Sequence, residues 1–418
     1  MNYSKRFADK ELAKKLSEAG AVLICGPKAC GKTETALQAA ASVVRLDTDA
    51  QARIAMDIEP ARVLQGTRPR LLDEWQEFPA LWNLVRREVD DAKQDAQFIL
   101  TGSANPDEKA RRHSGAGRFS VLPMRPMSLF ERGWSSGEVR LADLFARKPK
   151  PLSSADVSAP LDELAEKIIY GGWPGLLGKP LSRAISFSRD YAALTAEVDI
   201  SRVSEKRRDP AKVARLMQSL ARNISTEATL ATLAADVRGA AGAFKDETAA
   251  DYLDALERLM FVENLPAWRA HIRSSATLRQ QPKCHFADPS LACGILRLDT
   301  GKLLADLNYF GLLFESLVIR DLRVYAQAND GKVFHYRDSA GREIDAIVET
   351  GNGDWLAVEV KLGLGAADAA AANLLKFAAN INTSKTPAPK ALVVITANGF
   401  AHRRPDGVNV IPLATLTA

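Results

Sequence analysis

Short apolar runs separated by longer stretches of helical character set the rhythm of the first third of the chain. Residues 21–25 (AVLIC), 43–47, 70–73, 98–101 and 119–122 are each brief and apolar. Runs of four or five such residues fit buried strands, and their alternation with helices predicts a parallel sheet covered by helices. Residues 34–44, rich in Ala with Leu37 and Gln38, predict a helix directly after the first strand. The opening MNYSKRFADKELAKKLSEAG is charged throughout and predicts an amphipathic helix.

The pattern changes twice further on. Residues 161–281 are helical in character, interrupted by the turn YGGWPG at 170–175. Within 229–260, Leu230, Leu233, Val237, Tyr252, Leu253, Leu256, Leu259 and Met260 recur at helical spacing, and the strand-like FVENL follows. Two helices and a strand in that order predict a winged-helix module; a plain helical bundle fits the periodicity equally well. From residue 282 the order is helix (311–326), strands (333–337 and 342–349) joined by DSAG, strand (355–361), an Ala-rich helix (366–379) and strands (391–396 and 408–412). The chain thus reads as a multidomain α/β protein: 1–148, a Pro- and Ser-rich linker at 149–160, a helical block at 161–281, and a separate α/β domain at 282–418.

Composition narrows this reading without redirecting it. A chain of 418 residues exceeds one core, and 46% apolar with 26% charged residues is ordinary for a globular protein. No run of eighteen apolar residues exists, so no membrane partner is expected, and the charged start lacks the apolar core of a signal peptide. Four cysteines in so long a chain make no disulfide framework. The expected location is the reducing cytoplasm. A net charge of +5 permits nucleic-acid contact without arguing for it.

The chemistry begins at residues 26–33, GPKACGKT, a complete Gly-x-x-x-x-Gly-Lys-Thr phosphate-binding loop (Walker A) set between a strand and a helix. Gly26, Pro27, Lys28, Ala29, Cys30 and Gly31 form the loop whose N–H groups curl around phosphate oxygens. Lys32 reaches the β- and γ-phosphates, and the Thr33 hydroxyl ligates Mg2+. About forty residues on, Asp73-Glu74 ends a strand as a Walker B pair. Asp73 can hold Mg2+, and Glu74 can polarise the attacking water. The strand at 98–101 ends in Thr101-Gly102-Ser103, where a hydroxyl can sense the γ-phosphate. Of Arg111, Arg112 and Arg118, Arg118 is the choice for an arginine finger, acting in cis or from a neighbouring subunit of a homo-oligomer.

The runs GAVLICGPKACGKTETA, LLDEWQEFPALW, ILTGSA and SGAGRFSVLPMRPMSLFE resemble a family of prokaryotic AAA-type ATPases that carry a C-terminal domain of unknown function. YGGWP, ATLAADV, DYLDALERLMFVENLPAW and REIDAIV with AVEVK extend the resemblance over nearly the whole chain. It implies a P-loop AAA-type core, ATP as cofactor with Mg2+, Lys32 and Thr33 at the nucleotide, Asp73 at the metal, Glu74 at the water, and Thr101 or Ser103 as sensor. The sensor strand ends TGSAN where relatives often carry a run of serines.

A second candidate site lies near the C-terminus. Strand alternation projects Glu359 and Lys361 to one face, and a neighbouring strand brings Asp345 beside them. Two carboxylates then hold Mg2+ while Lys361 orients or deprotonates a water, the minimal equipment for phosphodiester cleavage. Glu315, in the preceding helix, supplies a third acidic ligand. The order resembles the PD-(D/E)xK nuclease fold, with Ile344 in place of its usual proline. Cys284, His285 and Cys293 lack the pairing of a zinc site and read as buried groups. Lys206, Arg207 and Arg208, with Arg202 and Arg215 nearby, form a basic run that could touch a phosphate backbone. The expectation is an ATPase whose turnover gates DNA binding, or Mg2+-dependent DNA cleavage, by the C-terminal domain. The rival is a regulatory switch that binds DNA or a protein partner and cuts nothing.

Overall fold

The computed structural model describes residues 3–102, 115–146, 150–202, 208–241, 244–269, 281–338 and 341–418. Helix α1 (Phe7–Leu16) is followed by β1 (Ala21–Cys25), α2 (Lys32–Leu37), β2 (Ser42–Arg45), α3 (Ala50–Ile58), β3 (Arg70–Asp73), α4 (Leu81–Ala92), β4 (Phe98–Gly102) and β5 (Phe119–Pro123). The five strands form one parallel sheet in the order β2-β3-β4-β1-β5. Their residues alternate between two cores. Leu23, Leu72 and Leu100 pack toward Trp82 and Val85 of α4, while Val22, Ile24, Leu71 and Ile99 pack toward Leu12 and Leu16 of α1. Burial on both faces is why β1, β3 and β4 read as unbroken apolar runs. The helix expected over 34–44 ends at Leu37. β-Branched Val43 and Val44 instead extend the sheet, opposite Leu71 and Leu72.

Strand β6 (Val139–Arg140) leads to helices α5 (Leu161–Tyr170), α6 (Leu181–Glu197), α7 (Pro210–Arg222), α8 (Leu230–Ala241) and α9 (Asp246–Arg258). After α9 the chain extends, and antiparallel bridges join Val262 to Phe286 and Leu265 to Lys283. Three helices, α7 to α9, thus precede this short ribbon.

Helices α10 (Ser290–Leu296), α11 (Thr300–Ala305) and α12 (Leu307–Ala328) precede β7 (Gly331–Arg337), β8 (Glu343–Thr350), β9 (Trp355–Lys361), α13 (Ala367–Asn380), β10 (Ala391–Thr396), β11 (His402–Arg403), β12 (Asn409–Pro412) and β13 (Leu416–Thr417). The sheet order is β11-β12-β10-β9-β8-β7. β7, β8 and β9 run antiparallel, whereas β9 and β10 run parallel around the α13 crossover. Helix α12 covers one face through Leu313, Leu317 and Leu322 against Ala346, Val348 and Val358. Helix α13 covers the other through Leu374 and Phe377 against Ile347 and Trp355.

One apolar core runs from Leu129 through the helical block to Leu416. β13 pairs with β6, returning the end of the chain to the segment that leaves the first sheet. The Pro- and Ser-rich stretch is also tied down: Val157 bridges Gly399, and Ser154 Oγ accepts from the Ala401 N–H. No described helix is long and apolar enough to cross a membrane.

Candidate functional site

The phosphate loop curls over the C-terminal ends of the parallel strands. Gly26 passes the Met124 carbonyl so closely that an added Cβ would stand 2.1 Å from that oxygen. Gly31 has φ of 101°, a left-handed conformation that side chains resist. Ala29 is also left-handed at φ 61°. Lys32 is buried, and its ammonium donates to the loop's own carbonyls at Gly26 and Pro27, 2.9 Å each. Cys30 is fully buried beneath the loop, out of reach of oxidants.

Asp73, Thr33 and Thr101 come together at the strand ends. Asp73 Oδ1 accepts from Thr33 Oγ1 at 2.8 Å and from Thr101 Oγ1 at 2.5 Å. A threonine hydroxyl beside a carboxylate is the hard-oxygen donor set that suits Mg2+, so these residues fit the ion. Thr33 and Asp73 would hold it, and it would neutralise charge on the nucleotide's phosphates. Glu74 lines the same cavity in a left-handed conformation, φ 55°, and accepts a bond from Gln76 Nε2. Such conformations in non-glycine residues gather at functional sites.

The other sensor and finger candidates fare differently. Ser103, Arg111 and Arg112 lie outside the described residues. Arg118 precedes β5, and its carbonyl accepts from Ala21 N at the start of β1. That is the end of the strands opposite the loop, roughly 13 Å of strand away. Its guanidinium pairs with Asp90 at 2.7 Å. Arg118 is therefore no finger for its own nucleotide, and only the version acting on a neighbouring subunit is left.

The cavity beside the loop is about 950 Å³, and the middle block supplies part of its wall. Trp173, Pro174, Gly175, Phe187, Asp199 and Leu259 face Lys28, Lys32, Thr33 and Glu74 across it. Lys28 Nζ pairs with Asp199 Oδ1 at 2.5 Å, and the Lys28 carbonyl accepts from Tyr191 Oη at 3.3 Å. The turn carrying Trp173 is fixed from below. Gly172 N donates to Asp288 Oδ2, and Trp173 Nε1 donates to Ser290 Oγ. Sequence reading missed the Asp199 contact, because nothing in an isolated Asp marks a partner 171 residues away.

The C-terminal quartet also converges. Lys361 Nζ lies 2.7 Å from Glu359 Oε2 and 3.4 Å from Asp345 Oδ2, and the latter oxygen accepts from the Val360 N–H. Glu315 comes to Asp345 from α12. Between them stands Lys283, which sequence reading passed over. Its Nζ lies 2.9 Å from Glu315, 2.7 Å from Glu343 and 3.7 Å from Asp345. Burial pushes the Glu315 carboxyl upward, reinforced by Asp345 and opposed by Lys283. Burial and Asp345 likewise push Glu359 up to about 7, against the pull of Lys361. With an ammonium seated among these oxygens, Glu315, Asp345 and Glu359 as arranged do not fit a Mg2+ ion. No three described His, Cys, Asp or Glu side chains stand as a metal-binding group.

The lesser candidates resolve as structure. Arg208 is buried against Asp251 rather than offered to a phosphate backbone, and Lys206 and Arg207 lie outside the described residues. Cys284 and Cys293 are buried free thiols, and His285 bonds Ser316. Trp268 and Trp355 are buried in an apolar cluster beside α13.

Residues 18–132 match the family model described as an AAA domain. Residues 161–302 and 310–416 match two domains of unknown function, DUF8612 and DUF4143. The first unit thus matches an AAA domain and has an α/β core with a parallel sheet. The chain is 25% identical over 356 residues to uncharacterized protein Rv2008c of Mycobacterium tuberculosis, covering 84% of this chain and 72% of the relative. The same figures hold for uncharacterized protein Mb2031c of Mycobacterium bovis. Among solved structures, the Walker-type ATPase PABY2304 of Pyrococcus abyssi is similar at 13% identity, TM-score 0.42, over 70% of this chain and 95% of that one. AMPPCP-bound DnaA from Aquifex aeolicus is similar at 17% identity, TM-score 0.23, over 60% of this chain and 85% of that one.

Proposed function

We propose that this chain is an ATP-hydrolysing switch in which nucleotide occupancy controls how the middle and C-terminal domains engage nucleic acid, with DNA the favoured partner. The observation that carries the reading is the shared wall of the nucleotide cavity. Lys28 belongs to the phosphate loop and Asp199 to the middle block, so phosphates entering the loop compete with Asp199 for one ammonium. Asp73 and Thr33 bind Mg2+, Lys32 swings from its carbonyls to the phosphates, Glu74 orients water, and Thr101 reports through Asp73. The three helices and ribbon of residues 210–286 support a winged-helix reading of the middle domain. The α12-β7-β8-β9-α13-β10 order, with Glu315, Asp345, Glu359 and Lys361 converging, supports the PD-(D/E)xK likeness of the C-terminal domain. The domain limits 1–148, 161–281 and 282–418 belong to the same proposal, as does a homo-oligomer that would bring a neighbour's Arg118 to the nucleotide.

Lys32→Ala is expected to abolish detectable binding of a fluorescent ATP analogue. Glu74→Gln is expected to bind it normally while turnover falls roughly 10²–10⁴-fold. DNA retention by the Glu74→Gln chain should differ with and without ATP. Normal hydrolysis by Glu74→Gln, or DNA retention indifferent to ATP, would overturn the reading.

A further inference from the structure

The C-terminal acidic cluster already contains a cation. Lys283 sits on the extended run that follows the middle helices, where its backbone exchanges bonds with Leu265 (N–H to carbonyl, 3.0 and 2.9 Å). That pairing fixes the direction of the side chain, which enters the domain between α12 and β8 and is 2% exposed. Three carboxylates from two elements meet it: Glu315 of α12, and Glu343 and Asp345 of β8. An ammonium has three protons to donate, and three acidic side chains surround it.

The other Asp345 oxygen and both Glu359 oxygens have partners too. Asp345 Oδ2 takes the Val360 N–H and Lys361, while Glu359 takes Lys361 on one oxygen and Asn373 Nδ2 on the other, at 2.8 Å. A divalent ion held by these carboxylates would sit about 2.0–2.6 Å from their oxygens. An ammonium 2.7 to 2.9 Å from Glu343 and Glu315 fills that space, and the two cations exclude each other. Ejecting Lys283 would bury an unpaired ammonium or tear the Leu265 pairing, so the lysine is held by the fold and not only by charge.

We propose that Lys283 is the resident cation of this cluster, closing it to divalent metal and pinning the ribbon of the middle domain to the C-terminal sheet. The inference rests on the fold reading of the C-terminal domain given above. Within that reading it assigns engagement of nucleic acid without metal-dependent cutting.

Mn2+ serves as the probe, read by electron paramagnetic resonance on the full chain without nucleotide. Asp73→Asn silences the first site in every sample. The Asp73→Asn chain is expected to bind no Mn2+ at the C-terminal cluster up to millimolar concentration. Adding Lys283→Ala is expected to create one Mn2+ site at least tenfold tighter, and adding Asp345→Asn to remove it. A folded Lys283→Ala chain that gains no Mn2+ overturns the proposal. If Lys283→Ala does not fold, Asp73→Asn alone decides: Mn2+ bound there and lost on adding Asp345→Asn overturns the idea, and no such Mn2+ upholds it. Mg2+-dependent plasmid cleavage that Asp345→Asn abolishes overturns it as well. Because no nucleotide is present, loss of the ATPase reading leaves these outcomes unchanged.

Discussion

Two buried lysines organise the two ends of this molecule in opposite ways. Lys32 donates to two backbone carbonyls, and no described carboxylate pairs with it. Lys283 lies among Glu315, Glu343 and Asp345. Carbonyl dipoles hold an ammonium without cancelling its charge, so the N-terminal lysine keeps its full attraction for phosphate. Carboxylates cancel it, so the C-terminal lysine has nothing left for a ligand and becomes part of the core. Burial alone therefore says little about function; the charge of the partners decides whether a buried lysine is waiting or spent.

Stability should separate the two most sharply. Lys283→Met is expected to destabilise the chain by about 3–5 kcal/mol, the usual cost of stranding buried carboxylates without their cation. Lys32→Met removes only exchangeable carbonyl bonds and should change stability by about 1 kcal/mol or less. Urea unfolding of both variants without nucleotide gives the difference directly. Equal losses would break the contrast.

A smaller effect is expected where the two domains share the nucleotide cavity. Asp199→Asn removes the carboxylate that holds Lys28 at 2.5 Å. The lysine is 38% exposed, so the pair contributes only about 0.5–1 kcal/mol. Freed, Lys28 should tighten ATP binding roughly two- to fivefold by the same free energy, measurable by calorimetry. Weaker binding would mean that Asp199 supports the loop rather than competing with phosphate.

The nucleotide end was the more legible one from sequence, for a physical reason. The phosphate loop, Asp73 and Glu74 lie at the ends of buried strands, and short apolar runs mark such strands clearly; β1 and β3 occupy the residues expected of them. Glycine and hydroxyl spacing then reports local backbone geometry. Whether Arg118 could act in cis was not legible, because letters do not tell which end of a strand faces the site. Lys283 was invisible because its partners are 32, 60 and 62 residues away, on α12 and β8. The only local hint is a lysine directly before the mostly apolar CHFA, where an unpaired charge would be costly. The helix at 34–44 failed because alanine's helix propensity was weighed above the pull of a sheet edge on Val43 and Val44.

Between the two sites lies a third charged contact that can test how firmly they are joined. Arg125, just beyond β5, forks onto Glu263 at 2.6 to 3.0 Å, and Glu263 lies on the ribbon that also carries Leu265, the partner of Lys283. Burial alone would raise the Glu263 carboxyl, but Arg125 and then Arg323 pull it down to about 2. A carboxyl lowered on folding adds stability that is fully present above its unfolded value near 4.5 and is lost as pH falls toward 2. Glu263 is 33% exposed, so solvent screening limits the effect to about 1 kcal/mol. Glu263→Gln should therefore flatten the acid limb of stability between pH 4.5 and 2 and leave the plateau near neutrality only slightly lower. The Mn2+ exclusion by Lys283 should survive that change, since the Leu265 pairing and the three carboxylates stay in place. If Glu263→Gln opens the C-terminal cluster to Mn2+ at neutral pH, then the lysine is held there by the docking of the first domain, and the two ends of the molecule are coupled through Arg125.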